Sequence, residues 1–363
     1  MPAQVENMFS VRKMPWHRQG TVLEDYPQTF AEARKLAGLD WDPVALPVVE
    51  SVVTRSQLHE RLQDIVRESA VMPVMATVDR LESLWDDCTQ SDSEWRRIAR
   101  DDTGATLSYQ RDSYTVIPNS AFGEIIDSVL AAEPGGTVKL ETGGCLAGGR
   151  KVWMLARLDE PHQVTAHGRT DSSVSFPYLG ITSSHDGKAS CAARLTEIRI
   201  ICSNTFSLAE AEGQRTGAVY SFSHRSGWRD RIGEAREALQ FARNENREYI
   251  TAMSDLLGIT ITPEQEKLWL RAFIPEPPDG LVSDRVARNI EEARAAVRGF
   301  LDGPAVEGAG IRGTAYGLVQ AAGEYLDHVR AARSWESRMN RSLLKAEPLK
   351  AKAAELARVA ASA

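Results

Sequence analysis

The sequence lacks several features that mark whole protein classes. It has 4 cysteines (Cys88, Cys145, Cys191 and Cys202), far apart and none in a C-x-x-C pair. This excludes a disulfide-dense scaffold and gives no zinc cage, so the thiols read as reduced and half-buried. No stretch reaches the roughly 18 uncharged apolar residues of a membrane-spanning helix. The opening MPAQVENMFSVRKMPWHRQG has no apolar run of the kind a secretory signal carries, and the expected compartment is the cytoplasm. Positive charge is not in excess: 43 Lys and Arg stand against 50 Asp and Glu, for a net charge of −7 and a pI near 5.6. A histone-like polycation is thereby excluded, and any basic surface must be local. There is no internal repeat and no low-complexity tract.

What is present fits a globular protein. Of 363 residues, 42% are hydrophobic and 26% charged, ample for a buried core and, at about 150 residues per domain, for two or three packing units. The expected organisation is a loop-rich α/β lead over residues 1–115, a central antiparallel α+β core over 116–227 and a helical region over 228–363. In the lead, Thr29 is a candidate cap for the helix FAEARKLAG, with Glu32 three residues on and Gly38 as its stop. ALPVVESVVT (45–54) reads as a strand, and residues 56–87 as helix interrupted at Pro73.

TGATLSYQRDSYTVIP is a candidate hairpin, after which Asn119 is the expected cap of a helix carrying Phe122, Ile125, Ile126 and Val129. Four strands are then predicted: TVKLETGG, RKVWMLARL, SVSFPYLGITSS and KASCAARLTEIRIICS. LAGG (146–149) and His185-Asp186-Gly187 supply the turn signals. SNTFSLAEAEG is expected to start a further helix, and from Trp228 onward the spacing is helical, with a Thr262-Pro263 helix start and the break PEPPDG. Helix, antiparallel strands, helix is an α+β order.

Residues two apart on a strand share a face. In RKVWMLARL one face carries Val152, Met154, Ala156 and Leu158, and the other Lys151, Trp153, Leu155 and Arg157. Lys188 and Arg194 of KASCAARLT, and Lys139 of TVKLETGG, are expected to join the second set. One face would then be apolar core, and the other basic with an aromatic. Lysine and arginine rows neutralise phosphates, and an exposed indole stacks a base for ~1–3 kcal/mol. The competing reading is an ordinary solvated sheet face.

A second basic group comprises Arg215, His224, Arg225, Arg229 and Arg231 around Tyr220 and Trp228. A third lies in the last thirty-odd residues, from Arg330 to Arg358. Each has a plain alternative as charge that keeps a helix solvated.

Enzyme signatures are weak. Ser184-His185-Asp186 are adjacent on one turn, whereas triad partners converge from separate places, so turn chemistry is the expected role. His162, His167, His185, Cys191 and Cys202 match no metal-cage spacing. Gly143-Gly144 and Gly148-Gly149-Arg150-Lys151 lack the phosphate-loop frame and read as a hairpin turn. Asp86-Asp87 and Asp101-Asp102 read as solvated acidic pairs. No catalytic residue, metal or cofactor is assigned.

ENMFSVRKMPWHRQGTVL, GGRKVWMLARL, ITSSHDGKAS, IRIICSNT and GTAYGLVQAAGEYLDH occur together over nearly the whole chain, roughly residues 5–358. In this set the chain resembles the phage- and plasmid-borne proteins grouped as domain of unknown function number 932. Relatives commonly have Asn where this chain has Ser183, and Gln where it has Ser203. The resemblance implies a mobile-element setting in a bacterial host cell, often near replication and recombination genes.

The topology alone, helix, β-meander, helix, is also similar to the core of single-strand annealing proteins of the RecT and Redβ type. Those proteins form rings or filaments and bind DNA without ATP, and the likeness is fold-level analogy. The resulting expectation is a single-stranded-DNA-binding, ATP-independent strand-annealing recombination protein, acting as a homo-oligomer in a ring or filament. Its DNA contacts are expected at Lys139, Lys151, Trp153, Arg157, Lys188, Arg194, Arg199, Arg225 and Arg229, although strand parity turns Arg199 to the opposite face unless a bulge intervenes. Host replication or recombination proteins are further expected partners, and no membrane is. Two alternatives stand beside this expectation: a metal-dependent nuclease or nucleotide-processing enzyme of a mobile element, and a protein-binding anti-host factor.

Overall fold

β-branched and apolar residues at alternate positions extend the middle of the chain, and turn residues fold it back on itself. In the computed structural model the described residues are 5–11, 20–130, 138–158, 161–199, 204–206, 219–234, 237, 250–277, 283–333 and 348–362. Their strands are β1 (Val5–Val11), β2 (Thr21–Leu23), β3 (Pro43–Ser51), β4 (Thr89–Arg100), β5 (Thr106–Arg111), β6 (Val138–Leu146) and β7 (Lys151–Leu158). The short hairpin β8 (Thr165–Ala166) and β9 (Arg169–Thr170) precedes β10 (Ser175–Ser184), β11 (Cys191–Arg199), β12 (Asn204–Phe206) and β13 (Val219–Phe222).

The main sheet runs β12-β11-β10-β7-β6-β1-β2, with β13 beside β11. Its centre is an antiparallel meander, and only the β1–β2 pair is parallel. A second sheet, β3-β4-β5, is antiparallel. The architecture is therefore α+β, with a central antiparallel meander flanked by helices and a largely helical C-terminal region.

One face of the meander is the main core. Val152, Met154, Ala156 and Leu158 of β7 pack with Leu179 and Ile181 of β10 and Cys191 and Ala193 of β11. Over them lie α1 (Phe30–Leu36), through Ala33 and Ala37, and α4 (Ala121–Leu130), through Phe122, Ile125 and Ile126, with Trp41 and Trp228 closing the edges. A separate helical core joins α5 (Pro263–Phe273), α6 (Asp284–Leu301), α7 (Ala315–Glu324) and α8 (Pro348–Ala361). The β8–β9 hairpin leans on this second core: Tyr316 donates its hydroxyl to Asp171 at 3.2 Å, and the Ser172 amide reaches the Ala309 carbonyl at 3.2 Å.

Between β3 and β4 the chain forms a helical hairpin, α2 (Arg55–Ser69) and α3 (Val74–Cys88), broken at Pro73 as the sequence predicts. Thr54 and Gln57 cap each other reciprocally at the start of α2. Thr29 caps α1 by accepting the Glu32 amide at 3.1 Å, and Gly38 ends it at a φ of +65°.

Several expectations change. ENMFSV is a sheet strand rather than loop: Phe9 and Val11 enter the main core, and Met8 and Ser10 are buried on the other side, so both faces of β1 are inside. The expected 103–118 hairpin is one strand, β5, whose partner is the charged β4 upstream. Its polar side chains hide β4 from a pattern reading. Asn119 does not cap α4; its amide is spent on the Trp41 carbonyl and on His185. Asn204–Phe206 is a strand against β11, where a helix start was expected. The rest of that expected helix, most of 235–249 and the segment 334–347 lie outside the described residues.

Candidate nucleic-acid interface

Strand register decides which of the expected cations meet. On the face opposite the main core, Lys139 of β6 lies directly across from Arg157 of β7, which lies across from Tyr178 of β10. One step along, Leu155 faces Gly180, and Gly180 faces Arg194 of β11. Lys151 faces Ser184 at the far end. At about 3.3 Å per residue, Lys151 and Arg157 stand about 20 Å apart along the strand. Lys139, Lys151, Arg157 and Arg194 thus share one face as parity predicts, and Glu141, in the irregularity of β6 between Leu140 and Thr142, stands beside them.

The face is not an open plate. Trp153 is 1% exposed and cannot stack a base. Its ring lies over Gly144, where an added Cβ would sit 2.6 Å from the indole, so glycine makes the space that buries the tryptophan. Leu155 and Tyr178 are buried as well, with Phe176 against them. Arg157 is enclosed with a side-chain exposure of 11%: its guanidinium sits 4.4 Å from the Phe176 ring centre and 5.3 Å from that of Tyr26, and 3.8 Å from Glu141. Tyr26 donates to the same carboxylate at 3.3 Å, and the Lys139 ammonium lies 5.8 Å from the Tyr26 ring centre. Burial, with the Glu141 charge next, pushes the Tyr178 phenol well above its ordinary range. Arg157 is therefore a packed cation held by aromatic faces, not a presented one.

Half-buried Lys139, Lys151 and Arg194 are the better-placed members of the face. Lys188, 76% exposed, stands in the turn after β10 and pairs with Asp186 at 3.6 Å. Arg199 pairs across from Ser175 with no register shift between β10 and β11, so the bulge that the sequence reading required of it is absent from this pairing. Arg225 is exposed beyond β13. Arg229 is bound to Glu124 of α4 at 3.1 Å, which puts it in the helical layer over the main core, on the other side of the sheet. The expected set is thus split between two sides.

A second polar centre is one that sequence spacing assigned only to turn chemistry. The Ser184-His185-Asp186 turn is no triad, since Ser184 donates to Asp186 while His185 points elsewhere. The His185 Nε2 lies 2.8 Å from the Asn119 Oδ1, Asn119 donates to the Trp41 carbonyl at 2.9 Å, and Trp41 donates to the Gly38 carbonyl at 2.9 Å. The His185 backbone is fixed at both ends, its N–H to the Arg150 carbonyl at 2.8 Å and its C=O from the Ser108 hydroxyl at 2.7 Å. Trp41 meets the imidazole edge-on at 5.8 Å, and Arg100 lies 4.4 Å over Trp41.

Burial, then the neighbouring His224, pushes the His185 pKa down to about 3, so the ring is neutral. His224 stacks on Tyr114 at 4.6 Å and is also held below the ordinary histidine range by burial. Burial pushes the Cys191 thiol up to about 12, leaving it protonated and unreactive. This node ties the meander, the β3-β4-β5 sheet and the Trp41 loop together. Among the described residues no group of three or more His, Cys, Asp or Glu side chains is placed to hold a metal ion, and no described helix is long and apolar enough to cross a membrane.

The class defined by this fold is an α+β protein whose antiparallel meander carries a partly covered cationic face. Residues 106–346, about two thirds of the chain, match the family model described as Domain of unknown function (DUF932), and the chain belongs to that family. No curated protein and no solved structure matches the chain.

Proposed function

We propose that this protein binds single-stranded DNA and anneals complementary strands without nucleotide hydrolysis, as a homo-oligomeric ring or filament. The observation that carries the reading is the placement of Lys139, Lys151, Arg157 and Arg194 on one face of the meander, with Glu141 as the carboxylate beside them, in a chain of net charge −7. Cationic side chains gathered on one face can attract a polyanion to a chain whose net charge is negative. With Trp153 buried, the contact is to the phosphate backbone and carries no base readout. Lys151 and Lys188, at the Ser184 end, form the entry of the path, and Lys139 and Arg194 continue it. Arg157 supports the path from within.

Backbone neutralisation suits annealing, because it leaves the base edges free to pair and lets pairing itself drive the reaction. The test mixes two complementary oligonucleotides, one labelled at each end for energy transfer, with the protein and no ATP. The expected result is pairing faster than the spontaneous rate, lost in the Lys151→Glu, Arg194→Glu double variant. A wild-type rate equal to the spontaneous one, or a double variant as active as wild type, would refute the proposal.

A further inference from the structure

Helix α3 has two apolar faces and covers one of them. Leu84 and Cys88 turn to α2 and pack with Ile65, Leu58 and Leu62. Val74, Val78, Leu81 and Trp85 recur at intervals of four, three and four, which on an α-helix makes a second stripe about a quarter turn away. All four are exposed, Val74 at 80% and Trp85 at 61%, and Met75 and Val71 extend the patch past Pro73. A large exposed indole in a row of exposed aliphatics is costly to leave wet and marks an interaction site. Val78, Leu81 and Trp85, with Glu82 and Asp86, line a shallow groove of about 460 Å³.

Charge identifies the occupant. Asp79, Glu82 and Asp86 follow the stripe along one side, exposed and with no cationic partner among the described residues. The cation of the helix, Arg80, is on the opposite side and bound to Glu68 of α2 at 3.0 Å. A second copy of this face would set carboxylates against carboxylates, and a nucleic acid would be repelled. We infer that the α2–α3 hairpin is a docking arm for a cationic amphipathic helix of another protein. The partner's leucine-type anchors would lie over Val78, Leu81 and Trp85, and its lysines or arginines against Asp79, Glu82 and Asp86. The arm is inserted between β3 and β4 of the second sheet, whereas the cationic face belongs to the main sheet, so the inference does not depend on DNA binding there.

The test uses the full chain and a dye-labelled synthetic peptide in which leucine and lysine repeat with helical spacing, read by fluorescence anisotropy at physiological salt. The expected result is saturable binding, weakened about tenfold by Trp85→Ala and by the Glu82→Gln, Asp86→Asn pair, as for an anchor residue and its rim. The matching peptide with glutamate for lysine should not bind. These positions are exposed, so the variants keep the wild-type circular dichroism. Undiminished binding to Trp85→Ala would mean attraction to diffuse negative charge, and would overturn the inference. So would equal binding of the glutamate peptide, no binding at all, or sedimentation showing a dimer that Trp85→Ala dissolves.

Discussion

At the scale of single residues, His185 carries the sharpest consequence. Its imidazole is enclosed and neutral, with the folded pKa near 3 against 6.5 in an open chain. The unfolded state therefore binds the extra proton, and stability rises with pH between those values. Acidification from pH 6.5 to 5 removes about 1.5 kcal/mol through this group alone, before carboxylates begin to titrate. Chemical denaturation across that window should show the loss in the wild type, and a shallower dependence in His185→Gln. Equal slopes would mean that the ring is protonated or solvated in the fold.

The SSHDG turn was legible as a turn, because Asp-Gly after a strand has few other uses. That its histidine would be sealed beneath Trp41 was not legible, since the partners Asn119 and Trp41 are 66 and 78 positions apart from His185 and from each other in the chain. Trp153 shows the same limit. Parity gives the face of a side chain and says nothing of what covers that face.

At the scale of elements, the helical region contains a buried ion pair. Lys350 at the start of α8 meets Asp327 at 2.9 Å, with side chains 1% and 2% exposed. Asp327 lies in the π-helical turn Tyr325–Val329 that follows α7, a local widening common where a side chain must be re-aimed. Removing one partner takes the 2.9 Å counter-ion from a buried charge, at a cost of about 3–5 kcal/mol. Thermal melts should show Asp327→Ala and Lys350→Met each strongly destabilised, and the Asp327→Leu, Lys350→Met double variant recovering most of the loss. Additive losses would mean that the two charges are held by other groups.

Capping signals and helical spacing made the start at Thr262 readable, and the Thr262–Gln265 capping box is present. Strands were readable where one face is apolar and the turn is short, as in the meander. β1 and β4 were not, the first because both its faces are inside and the second because its residues are mostly polar.

At the scale of the molecule, two surfaces differ in sign: Lys139, Lys151, Arg157 and Arg194 share the second face of the meander, and Asp79, Glu82 and Asp86 flank the apolar stripe of α3. On the two proposals above, one chain would hold a polyanion on the first surface and a cationic helix on the second. Residue parity made the cationic face legible. Which of its members are presented depends on packing from distant segments, which leaves Arg157 enclosed and Lys139, Lys151 and Arg194 half-buried.

The most direct measurement is the salt dependence of binding to an oligothymidine strand. For the wild type, the logarithm of affinity should fall linearly with the logarithm of salt concentration. Each phosphate contact on a single strand contributes about 0.7 to that slope, so the Lys139→Gln, Lys151→Gln, Arg194→Gln variant should be shallower by about 2. The same affinity and the same slope in both proteins would contradict the account.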